Sequence, residues 1–271
     1  MDIGIESTTI EAGGLFWDVG TMGDPGSEPV LLLHGFPERW QTWALMMPAL
    51  AEAGGRVHAA CLPGYGETTP PTTYDIDVVA EHVAALCHEI GGGGSCHLIG
   101  HDWGGIIAAA VASLHPDAVR SVTLACCAHP AALRSALNPA QMLKSWYVGA
   151  FQIPGIEHVL GNAAYLDRFA GGNGQTGIHG SDEMARALGY YRANLAPWKL
   201  GSSRAGRISQ PGLVIHAAHD AAVTEALMRE SAEHLDDLRS FEVMDSGHFV
   251  HRERPSDLSA LILGFLRDVA S

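Results

Sequence analysis

The chain has 271 residues, 47% apolar and 17% charged, which is enough to bury a core and too apolar to stay disordered. Sixteen Lys and Arg against thirty Asp and Glu leave a formal charge of −14 at pH 7, so neither nucleic acid nor an anionic membrane surface is an expected partner. Glycine is the outlier, at 32 residues, and predicts many tight turns or close approaches of backbone.

Residues 3–10 and 14–19 read as two early strands. PVLLLHG (29–35) is a solid apolar run ending in glycine, the pattern of a fully buried strand. A helix pattern follows through Trp43, Met47 and Leu50, then a strand at Arg56–Cys61. Val78, Val79, Val83, Leu86 and Ile90 fall at helical spacing over 75–90. CHLIG (96–100) reads as a strand, IIAAAVASLH (106–115) as a helix and VRSVTLACC (119–127) as a strand. This alternation predicts a mostly parallel sheet covered by helices, an α/β fold. From His129 to Arg204 the pattern turns helical with irregular gaps, including the glycine-rich AGGNGQTGIHGS at 170–181. After Pro211 the alternation resumes with GLVIHAA, a helix near 222–235, the strand SFEVM and a closing helix from Pro255 to Val269. The simplest account is one α/β core, residues 1–128 and 205–271, with a helical cap, residues 129–204, inserted after the sixth core strand.

Five scattered cysteines without a CxxC, namely Cys61, Cys87, Cys96, Cys126 and Cys127, predict reduced thiols. The N-terminal MDIGIESTTIEAGG has no apolar h-region, and no window approaches eighteen uninterrupted apolar residues. A cytoplasmic protein without a membrane span is the expectation.

The most informative segment is GHDWGG, 100–105, between the strand ending at Ile99 and the helix beginning near Trp103. A glycine on each side lets a strand-to-helix turn close sharply and lifts the middle side chain above the sheet. Serine is usual at that position, and here it is Asp102. An Asp there also suits a plain N-cap, but its flanking glycines and the partners below favour a nucleophile. A carboxylate is suited to attacking an sp³ carbon, forming an ester that water then hydrolyses.

Hydrolysis of that ester needs a base. His248, in DSGHFVHRERP after the last predicted strand, is preferred over His251. The base needs an orienting carboxylate, and Asp220 lies just beyond the strand 212–217. The alternative place, after the preceding core strand, holds Cys126, Cys127 and Ala128. The ester also needs an oxyanion hole. Candidate donors are the backbone N–H of Trp103 and that of Phe36 in HGFP (34–37). Pro37 is placed to hold that turn, a cis peptide being one option, and His34 reads as structural.

Together HGFPERWQTW (34–43), LPGYGETTP (62–70), GHDWGG, the Asp220 loop and SGHF (246–249) resemble the epoxide hydrolases of the α/β-hydrolase superfamily, in order along the whole chain. The resemblance implies an α/β-hydrolase fold and two cap tyrosines that hydrogen-bond the epoxide oxygen. Tyr147, four residues before Phe151, and Tyr191, before Arg192, match those carriers; Tyr190 fits less well. It also implies a substrate pocket using Trp103, Phe36 and Phe151. Tyrosine, protonated at pH 7, can assist departure of an alkoxide. Three departures stand out: Cys61 where an aspartate is more usual, Ala217-Ala218 in place of a glycine-containing turn, and the glycine-rich piece of the cap.

The implied activity is conversion of a small epoxide and water to a vicinal diol, with no cofactor or metal, by a monomer or homodimer. The nearest rival, a haloalkane dehalogenase, shares Asp102, His248 and Trp103, and draws on Trp146 or Trp198 for halide; Phe36 offers no side-chain donor for it. A fluoroacetate-type dehalogenase is disfavoured by Trp rather than Arg after Asp102. A catalytically silent ligand-binding relative is disfavoured by the intact nucleophile, acid and base. A metal hydrolase is disfavoured because no HExxH occurs and His97 and His101 straddle a strand end.

Overall fold

The computed structural model describes residues 4–161, 177–196 and 199–271. Most of the glycine-rich stretch and Trp198 lie outside them. Eight strands form one sheet: β1 (Glu6–Ala12), β2 (Leu15–Met22), β3 (Glu28–Leu33), β4 (Gly55–Ala60), β5 (Cys96–His101), β6 (Val119–Ala125), β7 (Ile208–Ala217) and β8 (Leu235–Met244). Their order is β1-β2-β4-β3-β5-β6-β7-β8. Only β2 with its neighbours β1 and β4 pairs antiparallel; every other pair is parallel. Every residue of β5 is buried, so both faces of the central sheet are covered, as an apolar parallel strand requires.

The covering helices are α1 (Met47–Glu52), α2 (Ile76–Ile90), α3 (Trp103–Leu114), α8 (Glu225–Ala232), α9 (Val250–Glu253) and α10 (Pro255–Ala270). α3 packs on β5 and β6 and against α2. Between β6 and β7 the chain forms a 3₁₀ turn at Pro130–Leu137 and helices α4 (Pro139–Lys144), α5 (Trp146–Phe151), α6 (Ile156–Leu160) and α7 (Gly180–Asn194). The helical segment therefore does enter after the sixth strand.

Several element boundaries differ from the sequence expectation; β8, for one, begins at Leu235 rather than Ser240. The pattern through Trp43, Met47 and Leu50 is a 3₁₀ turn, Trp40–Trp43, followed by α1. Pro48 sits in the first turn of α1, where a missing N–H is tolerated, and all three apolar residues are still buried. β7 begins at Ile208, ahead of Pro211, with a register shift between the two where proline cannot donate to the ladder. α8 starts only at Glu225, because the N–H groups of Ala222 and Val223 are taken by the Asp220 side chain. No helix among the described residues is long and apolar enough to cross a membrane, and all five cysteines are free and buried.

Candidate active site

β5 ends in a sharp turn at Asp102, whose φ of 52° and ψ of −120° lie outside both helix and strand regions. A non-glycine residue held there is strained by about 1–3 kcal/mol. The surroundings impose it: the Asp102 N–H donates to Ala125 O at 3.1 Å, and its carbonyl accepts from Ile106 N–H at 3.0 Å to begin α3. A side chain at Gly104 would overlap the Leu33 and His34 carbonyls, which explains the glycine after the turn. Gly35 serves the loop above, since a Cβ there would run into the Asp102 side chain. That closeness lets Phe36 N–H donate to Asp102 Oδ1 at 2.9 Å. The Phe36–Pro37 peptide is cis. His34 bonds neighbouring loops, with Nδ1 donating to Gly35 O at 2.9 Å and Nε2 accepting from Leu62 N–H at 3.0 Å.

The loops after β7 and β8 bring the two other polar residues to the same edge of the sheet. His248 Nδ1 lies 3.0 Å from both carboxylate oxygens of Asp220, and its Nε2 lies 3.6 Å from Asp102 Oδ2. Asp220 Oδ1 also accepts from Ala222 N–H at 2.7 Å and Val223 N–H at 2.9 Å. Burial works against the Asp220 carboxylate, yet His248 and the two N–H donors outweigh it and bring its pKa down to about 2. Burial also opposes charge on His248, but Asp220 and Asp102 together raise its pKa well above the ordinary histidine value. His251 is elsewhere, fully buried and 3.1 Å from Glu38.

Asp102, Trp103, Tyr147 and Tyr191 line one cavity of about 330 Å³. The rings of Tyr147 and Tyr191 are 6.3 Å apart, and Tyr191 stands edge-on to Trp103 at 5.1 Å. Burial, with Asp102 adding to it, pushes both hydroxyls well above the usual tyrosine range, so both are protonated donors. Tyr190 points away and donates to Pro63 O at 2.9 Å. The Phe36 and Phe151 rings do not line this cavity. They stand behind the tyrosines, each about 5 Å from Tyr191 (5.3 and 4.9 Å). Trp146 lines the cavity but is 68% exposed.

Several polar residues that hold this arrangement carry no motif. Buried Gln141 on α4 donates from Nε2 to Ala222 O at 2.6 Å and Ser145 Oγ at 2.9 Å, and accepts from Thr224 N–H at 2.8 Å. Lys144, one turn on, donates to the Asp220 carbonyl. These bonds tie α4 to the loop carrying Asp220. Glu183 ties α7, the helix of Tyr191, to the core: it accepts from Arg39 Nε at 2.9 Å and Gly66 N–H at 2.7 Å. Asp18 supplies the carboxylate at the Cys61 loop, accepting from Trp40 Nε1 at 3.0 Å and Cys61 Sγ at 3.5 Å. Beneath His248, His101 Nε2 lies 2.8 Å from its backbone oxygen. Such partners lie far apart in sequence, so only their meeting reveals them.

Among the described residues two groups, Glu38–His101–His251 and His101–Cys126–His248, hold metal-ligating atoms within 4.8 Å of one another. In the first, Glu38 is already engaged by Thr42 at 2.7 Å and by the Arg252 guanidinium at 3.3 Å, and that guanidinium would repel a cation. In the second, His248 is committed to Asp220.

A family model described as the alpha/beta hydrolase fold matches residues 28–168, more than half of the chain. The chain belongs to the α/β-hydrolase family. It is 27% identical to the AB hydrolase superfamily protein YfhM of Bacillus subtilis, over 98% of this chain and 99% of that one. It is also 27% identical to epoxide hydrolase A of Mycobacterium tuberculosis, over 95% and 96% of the two chains. Among solved structures, an epoxide hydrolase of this superfamily from hot-environment metagenomes superposes with a TM-score of 0.82 at 27% identity, covering 96% of this chain and 98% of that one.

Proposed function

We propose that the chain hydrolyses an epoxide to a vicinal diol through a covalent ester on Asp102, beneath a cap formed by residues 129–204. The observation that carries this reading is an aspartate, not a serine, at the strand-to-helix turn, sharing a cavity with two protonated tyrosines. The likeness to epoxide hydrolases along nearly the whole chain supports it.

Phe36 N–H engages Asp102 Oδ1, which leaves Oδ2 to attack a ring carbon. The C–O bond of the ring breaks, and Tyr147 or Tyr191 gives its proton to the departing alkoxide. Esterification removes the Asp102 charge. His248 then loses one of the two carboxylates that hold its pKa up, gives its own proton to the tyrosinate, and is left as the neutral imidazole that a general base requires. It takes a proton from water, whose oxygen attacks the ester carbonyl carbon. The Phe36 and Trp103 amides stabilise the oxyanion. The ester C–O bond breaks, the diol oxygen takes that proton from His248, and the carboxyl proton passes to His248, which restores the starting state. The water oxygen stays in Asp102. A halide-releasing reaction is less well supported: the hydroxyls in the wall suit an alkoxide, and Trp146 is largely in water.

Replacement His248→Gln tests the reading. General-base catalysis of ester hydrolysis falls by about 10²–10⁴-fold, while alkylation still proceeds. Incubation with styrene oxide should leave a protein heavier by one substrate mass, on Asp102. Normal turnover by that variant would exclude His248 as the base, and halide release without diol from a haloalkane would point to the dehalogenase.

A further inference from the structure

Among the described residues lining the cavity, Asp102 is the sole charged side chain. Apart from the two tyrosines, the long polar side chains in its wall are turned to protein partners: Gln141 to Ser145, Ala222 and Thr224, and Gln152 to the Val148 and Tyr191 carbonyls. The apolar wall then continues outward. Leu137, Met142 and Trp146 line the cavity, yet they are 54%, 54% and 68% exposed. A residue that lines a cavity while mostly in water marks its mouth. Trp146 also touches Tyr147 ring to ring at 6.3 Å, so the rim is continuous with the tyrosine wall. Three large apolar side chains kept in water at one rim form a patch that an apolar ligand would cover.

We propose that this rim is a tail subsite, and that the substrate is an epoxide bearing a linear, uncharged alkyl chain that runs from Asp102 along Leu137, Met142 and Trp146 toward solvent. The inference rests on the epoxide-hydrolysis reading. Charge sets the first part of it. A tail ending in a carboxylate would share a cavity with Asp102 and meet no Lys or Arg among the described lining residues, so desolvating it there is unfavourable. Volume sets the second. A cavity of about 330 Å³ holds roughly eleven groups of water size, at about 30 Å³ each. A ring with a six- to eight-carbon tail fills that space, and further carbons lie on the rim.

The test is a series from 1,2-epoxybutane to 1,2-epoxydodecane, with ω-carboxylate analogues of equal length. We expect kcat/KM to rise by up to about fourfold per methylene, the equivalent of about 0.8 kcal/mol each, through the C8–C10 members and then to flatten. The carboxylates should lose at least tenfold. Trp146→Ser, at a largely exposed position, should cut the epoxydecane-to-epoxybutane ratio several-fold, and Met142→Ser likewise. Binding of butanamide, octanamide and decanamide, followed by tryptophan fluorescence, provides a readout without hydrolysis, with tighter binding expected as the chain lengthens and none for decanoate. Amide binding of that kind without diol from any epoxide would uphold the tail subsite and overturn the epoxide reading. Affinities and kcat/KM values that are flat with chain length, or a ratio unmoved by Trp146→Ser, would overturn the tail subsite.

Discussion

Acidification should unfold this protein steeply, well above the carboxylate range. Five histidines, His34, His58, His97, His101 and His129, are at most 8% exposed. Burial holds three of them at a pKa of about 4 and the other two at about 3. Geometry gives the same result for two. His34 Nε2 accepts from Leu62 N–H, and His129 Nδ1 accepts from Ala131 N–H at 3.1 Å, so a proton on either nitrogen would face another donor. A base whose folded pKa is depressed stabilises the fold above its unfolded value, near 6.5, and loses that stability as pH falls toward the folded value. Between pH 7 and 5.5 each such histidine removes about 1.2 kcal/mol, and five remove about 6 kcal/mol. His248 has the opposite sign. Its raised pKa contributes fully below 6.5 and is lost only as pH rises through the raised value, so over this window it offsets less than one histidine's share. Asp220 and Glu38, both held low, weaken the fold only further into acid. With a typical stability of about 5–15 kcal/mol, the acid midpoint should fall near pH 5. Urea unfolding at pH 7.0, 6.0 and 5.5, followed by tryptophan fluorescence with linear extrapolation, measures the loss. A stability at pH 5.5 within about 1 kcal/mol of that at pH 7 would refute the reasoning.

Tyr147→Phe and Tyr191→Phe should each slow alkylation by about 10–100-fold, and the double variant should abolish it; stopped-flow tryptophan quenching reads this step. Tyr190→Phe should leave alkylation nearly intact and lower stability by about 1 kcal/mol, since its hydroxyl donates only to Pro63 O. Gln141→Leu removes the bonds joining α4 to the loop 222–224, leaves Thr224 N–H without its acceptor and should destabilise by about 1–3 kcal/mol. It should also lower kcat more than it changes KM, because that loop holds Asp220; an unchanged kcat would mean that the cap and the acid loop are independent.

The fold was legible because its core segments are short apolar runs separated by helical periodicities, and β3, β5 and α3 lie where those patterns put them. Boundaries failed where one residue overrode the pattern: Pro48 restarts a helix, and Asp220 draws in the N–H groups that would have opened α8 earlier. The proposed site was legible at Asp102, where glycines flank a reactive residue, and at His248, from its place after the last strand. It was not legible in the wall. Phe36 contributes a backbone N–H to Asp102, while its ring and that of Phe151 back the tyrosines without lining the cavity.

By itself the sequence determined the sheet, the insertion between β6 and β7, and the chemical types available at the strand ends, because these depend on local periodicity and on glycines needed at particular turns. The resemblance favoured Tyr191 over Tyr190, and the tertiary structure shows what separates these adjacent residues: Tyr190 donates to a loop carbonyl and Tyr191 lines the cavity. It alone joined Gln141 to the Asp220 loop and Glu183 to Arg39. The reason is physical. A side chain's partner is set by which distant backbone atoms reach within hydrogen-bonding distance, and that follows from how helices pack on the sheet.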